Sequence, residues 1–136
     1  MQVYAQDAVD LAREQFQINL DFSENSLENV EKILASLHNT LPKGVLDKLF
    51  RRGPSQDQIW EMSKGWGGYI GEVIRRQWGG EWTTETAANP GTVITLRVSG
   101  SDIFPPVKVY KRLTNGAEDN IWHYYQVLKQ DFERAK

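Results

Sequence analysis

The chain has 136 residues, 16 basic and 18 acidic for a net charge of −2, and no cysteine. That length suits one domain with a sizeable core, and the missing thiols exclude a disulfide framework, a thiolate metal site and a cysteine nucleophile. The near-balanced charge gives no general drive toward nucleic acid or anionic lipid, so either partner would need a local patch.

The N-terminal segment lacks the basic-then-apolar layout of a signal peptide, and no apolar run approaches the ~18–20 residues of a membrane span. The expectation is a cytoplasmic protein with no membrane partner. Tyr4, Ala8, Leu11, Ala12 and Phe16 recur at helical spacing and predict an amphipathic helix over 3–17. Ile18 to Phe22 alternates, and Ser23 is placed to cap a second helix that runs through Leu27, Val30, Ile33, Leu34 and Leu37 to Thr40. Pro42 and Gly44 stop that helix, and Val45 to Phe50 reads as a short amphipathic turn before Arg51-Arg52-Gly53-Pro54.

Ser55 to Gln58 fits a capping box and marks the start of a third helix. Ile59 to Trp82 follows, with four of the chain's five tryptophans and six of its eleven glycines. Residues set 100° apart place Ile59, Met62, Ser63, Trp66, Ile70, Val73 and Ile74 on one broad apolar face, and Glu61, Lys64, Glu72 and Arg75 opposite. Trp60, Gly67, Gly71 and Trp78 line one edge, so two rings flank a notch. The interior glycines Gly65, Gly67, Gly68 and Gly71 oppose helix formation by ~3–4 kcal/mol in total, which something must offset. Close packing against a neighbouring helix or sheet ranks first, a groove for a ligand or partner second, and a local break third.

Past Gly79-Gly80 the pattern turns to period two and β-branched residues over 81–86 and 92–98, with Asn89-Pro90-Gly91 as a turn. Ser99-Gly100 reverses the chain into Ser101–Phe104, completing a three-stranded antiparallel meander. Pro105-Pro106 breaks the sheet, helical spacing resumes at Val107, Tyr110 and Leu113, and Asn115-Gly116 makes a turn. A last helix buries Ile121, Tyr125, Leu128 and Phe132, with Trp122 and Tyr124 on its flanks. The fold class expected is α+β: N-terminal helices, a small three-stranded antiparallel meander, and C-terminal helices packed on one face of the sheet, all in a single domain over 1–136. The glycine-rich helix is expected at its centre, resting against the sheet.

The segments LDFSENSLENVEKIL (20–34), GGYIGEVIRRQWGGEW (67–82) and IFPPVKVYKRLTNGAEDNIWHYY (103–125) resemble a family of small bacterial domains of unknown function. The resemblance covers most of the chain. It implies a compact α+β fold with Tyr69, Gly71 and Glu72 on the central helix and Gly79, Gly80 and Trp82 leading into the sheet. It brings no activity and no catalytic residue. Proteins of this look are accessory bacterial proteins, some similar to immunity or effector-binding modules, which favours binding over catalysis.

Catalytic templates fit poorly. Gly65 to Gly71 misses the dinucleotide spacing because Ile70 stands where the third glycine belongs and no strand precedes it. Gly68-Tyr69-Ile70-Gly71 matches the bare GXXG of nucleic-acid-clamping KH domains, and Arg51, Arg52, Arg75 and Arg76 would form a basic patch beside Trp78. Both are weak signals. His38 and His123 fall on different helices without metal-ligand spacing, and Ser99-Gly100-Ser101 is a turn rather than a nucleophile elbow. Glu72 and Glu81 bracket the end of the central helix and would converge as glycosidase acids do. Glu72 reads either as an exposed helix ion pair or as a covered carboxylate paired with Arg75, Arg76, Lys111 or Arg112.

The function expected is a non-enzymatic module that binds a protein, a second copy of itself as a homodimer, or a small molecule. Trp60, Trp66, Gly67, Tyr69, Gly71, Glu72, Trp78 and Trp82 would supply the aromatic and glycine surface. No cofactor or metal is expected. The alternatives are a small hydrolase using Glu72 and Glu81, and a nucleic-acid-binding module using Arg51, Arg52, Arg75 and Arg76.

Overall fold

The computed structural model describes residues 1–41, 55–84 and 94–134. The turn expected over Val45–Phe50, Arg51, Arg52, the Asn89-Pro90-Gly91 turn and the loop-proximal ends of the first two strands lie outside the described residues.

Helix α1 spans Gln2–Phe16. Ala5, Ala8 and Ala12 form its buried stripe, small side chains that let it lie close to a neighbour. It ends where Gln17 takes a left-handed conformation (φ 57°) and Ile18 N–H returns to the Ala12 carbonyl at 3.0 Å, a Schellman-type closure. The alternating Ile18–Phe22 segment forms no strand. It bends instead through Phe22 at φ 62°, where the Tyr69 hydroxyl accepts Phe22 N–H at 2.8 Å and bonds the Ser26 hydroxyl at 2.7 Å. Helix α2 covers Ser26–Thr40, and Ser23 Oγ accepts the Ser26 amide at 3.2 Å.

Helix α3 spans Gln56–Trp78 and starts with the capping box: Ser55 Oγ accepts Gln58 N–H, and the Gln58 side chain accepts Ser55 N–H. After Gly79, at φ 79°, the chain turns into strand β1, Glu81–Thr83. Strands β2, Thr95–Val98, and β3, Ser101–Ile103, complete an antiparallel sheet in the order β1-β2-β3. Its register aligns Trp82, Leu96 and Ile103 on one face and Glu81, Arg97 and Asp102 on the other. Leu96 and Ile103 enter the core, while Arg97 pairs with Asp102 at 2.8 Å on the exposed face.

Helix α4 runs over Pro105–Asn115, and a single 3₁₀ turn at Ala117–Asp119 joins it to helix α5, Ile121–Arg134. The two prolines that end the sheet also begin α4, where a missing N–H costs nothing and the fixed φ suits the first turn. The fold is therefore α+β, with helices on both sides of a meander in sequence. Helix α3 sits between α1 and α4 and meets the sheet through β2 and the Trp82 side chain of β1. One hydrophobic cluster joins Leu27, Val30 and Leu34 of α2, Tyr69, Ile70 and Ile74 of α3, Leu96 of β2, Leu113 of α4 and Tyr125 of α5. Among the described residues, no helix is long and apolar enough to cross a membrane.

Candidate functional site

The notch along α3 is filled by the chain itself. A Cβ at Gly67 would stand 2.5 Å from both the N and the Cα of Pro106 and 2.9 Å from the Pro105 carbonyl carbon, so the start of α4 lies directly on the α3 backbone. At Gly71 a Cβ would collide with Cζ2 and Cη2 of the Trp82 indole, so the edge of that ring abuts the α3 backbone. Of the explanations for the glycines, close approach of neighbours accounts for both positions, and the ~1 kcal/mol each costs in propensity is offset by the contacts it permits.

The indole brings its N–H with it. Trp82 Nε1 donates to Glu72 Oε2 at 3.0 Å, and Arg75, one turn along α3, grips the same carboxylate with Nε at 2.7 Å from Oε2 and Nη2 at 3.2 Å from Oε1. Glu72 is 1% exposed. Its helical-wheel placement on the charged outer face is thus corrected: β1 folds back after Gly79-Gly80 and covers that side of the helix. Of the four partners considered, Arg75 makes the pair. Arg76 lies 3.7 Å from the centre of the Phe22 ring, and Arg112 is committed to Glu31. Burial pushes the Glu72 pKa up, but hydrogen bonds from Arg75 and then Trp82, with the fields of Arg75 and Arg76, outweigh it and leave the group below the ordinary 4.5. Glu72 is a fixed anion rather than a reservoir of protons.

Beside it opens a depression of about 370 Å³, lined by Met1, Gln2, Glu72, Arg75, Gly80, Glu81 and Trp82. Glu72 and Glu81 are both among its lining residues. The remaining aromatics of the expected surface go elsewhere. Trp66 and Tyr69 are buried in the core. Trp60 packs edge-on against Tyr110 of α4 with ring centres 6.2 Å apart, and Trp78 packs against Tyr125 and Phe132 of α5 at 5.9 and 5.2 Å. The eight residues thus divide between core, two aromatic contacts and the depression, which keeps only Glu72 and Trp82.

Neither histidine lines this depression. His38 Nδ1 lies 2.6 Å from the Leu113 carbonyl, and His123 is exposed on α5. Among the described residues no group of three or more His, Cys, Asp or Glu side chains is placed to hold a metal ion. Of the arginines of the expected basic patch that are described, Arg75 is paired with Glu72, and Arg76 lies over the Phe22 ring on the exposed surface.

Two buried arrangements escaped the reading of the residues. One is the Tyr69 hydroxyl clamp on Phe22 and Ser26. The other is the Arg112–Glu31 pair, for which a signal existed: Glu31 follows Leu27 by four residues and precedes Leu34 by three, so a carboxylate stands on the apolar stripe of α2.

Glu72→Gln tests the Glu72 cluster. The amide keeps an acceptor for Trp82 but loses the charge that faces Arg75, and the expected loss at pH 7 is ~1–2 kcal/mol, several degrees in Tm. Because the folded pKa lies below the unfolded one, the charge contributes stability that is fully present above pH 4.5 and lost as pH falls through the folded value. Wild type and variant are therefore expected to converge in Tm in strongly acidic buffer and to diverge above it. A difference of less than about 2 °C at pH 7 would sink the buried-pair reading.

No protein-family model, curated protein or solved structure matches the chain.

Proposed function

We propose that the chain is a non-enzymatic binding module that receives a small ligand in the depression beside β1. The observation that carries this reading is the rigid wall formed there by Glu72, Arg75 and Trp82, whose polar atoms are locked to one another beside an open space of about 370 Å³. Ligand sites combine a space of roughly 300–1,000 Å³ with a few fixed polar groups of this kind. A carboxylate held ionised by two donors suits recognition, in which geometry must not move, better than proton transfer.

The test is a ligand screen read by backbone and indole resonances in a ¹⁵N–¹H correlation spectrum. Binders are expected to perturb Gln2, Gly80, Glu81 and the Trp82 indole N–H. Ligands that bind but leave all four unmoved would rule this surface out. Light scattering tests the form in which a second copy is the partner, since a strict monomer at high micromolar concentration removes it.

A hydrolase using Glu72 and Glu81 is the second reading, favoured by their shared position at the depression. It needs one carboxyl as proton donor and one held ionised, and the lowered pKa of Glu72 suits Glu72 to the ionised role. Turnover of any glycoside or ester that is abolished in Glu81→Gln would establish this reading over the first.

A further inference from the structure

We infer that the slot at Gly71 is a recognition site for a planar ring bearing an N–H, that Trp82 occupies it in cis, and that Trp82 is a latch displaced when such a ring arrives in trans. The inference rests on the reading of the depression as a binding surface and names its ligand class. Shape comes first. With no side chain at Gly71, the Cζ2–Cη2 edge of the indole reaches the backbone of α3, and a single methyl group there would collide with that edge. The slot admits a flat ring.

Its chemistry selects further. Glu72 stands at the edge of the slot, 1% exposed, with Oε2 accepting the indole N–H at 3.0 Å and both oxygens held by Arg75. A ring of the same outline without an N–H would leave that buried carboxylate one donor short, a penalty that falls on the complex. The slot therefore discriminates for the N–H and not merely for aromatic area.

The occupant hangs on an edge strand that follows a glycine joint. Trp82 belongs to a three-residue strand at the edge of the sheet, and the two residues before that strand are Gly79 and Gly80, at φ 79° and 132°. Both conformations strain any other residue; Gly80 packs against the Arg97 carbonyl and Val98 of β2, while Gly79 has open space around it, so the freedom of the joint lies at Gly79. Unlike Trp66, sealed in the core at 3% exposure, Trp82 is half-buried and borders the depression. An incoming ring has space beside the slot before the latch moves.

Indole is the probe. In the wild-type protein, titration to its solubility limit is expected to move the Trp82 indole N–H resonance saturably toward a solvent-exposed position, and 1-methylindole, matched in shape but without the N–H, to bind at least ~10-fold more weakly. Trp82→Phe keeps a ring in the slot without a donor and is expected to bind indole ~10-fold more tightly than wild type. Trp82→Ala, if folded, empties the slot and should bind most tightly of the three. Equal binding of indole and 1-methylindole would overturn the N–H selectivity. A Trp82 resonance unmoved in wild type while either variant binds indole would show a plug that never opens and would overturn the latch. No indole binding by a folded variant would overturn the site itself. Perturbation of Gln2 and Glu81 by some other ligand, with Trp82 still, would overturn this inference while leaving the binding reading in place.

Discussion

Gly67→Ala is expected to lower the Tm by ~8 °C, although alanine is the better helix former. The added Cβ would meet the Pro106 N and Cα at 2.5 Å and the Pro105 carbonyl carbon at 2.9 Å. These are backbone atoms of the first turn of α4, and no rotamer change moves them aside. Relief requires α3 and α4 to separate along a contact that organises the core. Overpacking of this kind costs ~3 kcal/mol, the ~1 kcal/mol gained in helix propensity offsets part of it, and the remainder sets the expected drop. Gly65→Ala, two residues away on the same helix, is the control. Its Cβ would meet nothing nearer than the Tyr4 carbonyl oxygen at 4.0 Å, so it is expected to gain close to the full propensity term of ~1 kcal/mol and raise the Tm by a few degrees. Thermal unfolding of the two variants side by side separates packing from propensity. If both raise the Tm, α4 is not seated on Gly67.

The same two glycines show where the sequence was readable and where it was not. That α3 begins at a capping box, carries an apolar face through Ile59, Ile70 and Ile74 and needs close neighbours at its glycine edge follows from local chemistry alone, because caps, helical period and the cost of glycine act within a few residues. Which neighbours arrive does not follow, since Pro106 lies 39 positions beyond Gly67 and comes into contact only through the turns between them. Glu72 shows the limit more sharply. A helical wheel assigns faces relative to one helix, and the side it marks as outer remains so only until another element covers it. Here the cover is Trp82, ten residues on, delivered by a reversal at Gly79-Gly80. Trp66, Tyr69 and Trp82 looked alike in the sequence as aromatic residues among glycines. They separate into core, clamp and latch only through their partners: tight burial for Trp66, Phe22 and Ser26 for Tyr69, and Glu72 for Trp82.

The largest expected loss from a single substitution is at Glu31. Its carboxylate receives Arg112 Nε at 2.9 and 3.1 Å, Arg112 Nη2 at 2.9 Å, and the Ile121 N–H at 3.0 Å. One side chain on α2 therefore holds α4 through a bidentate fork and the first turn of α5 through an otherwise unpaired amide, where an anion also suits the helix pole. Glu31→Ala would leave Arg112, 3% exposed, as a buried cation without a counter-ion. Breaking a buried pair from one side costs ~3–5 kcal/mol, and the expected drop in Tm exceeds 10 °C. The loss measures the stranded charge more than the worth of the pair, and a double variant distinguishes the two. Glu31→Leu with Arg112→Met removes both charges and retains most of the volume. Because Arg112 Nη1 is already buried without a hydrogen-bond partner, the native pair starts with an uncompensated polar atom that the double variant eliminates. The double variant is expected to recover most of the lost stability, short of ~1 kcal/mol for the Ile121 amide that still lacks an acceptor. If it is instead as unstable as Glu31→Ala, the ion pair stabilises the packing of α2, α4 and α5 by more than apolar contact can replace, and the orphaned Nη1 is a minor cost beside it.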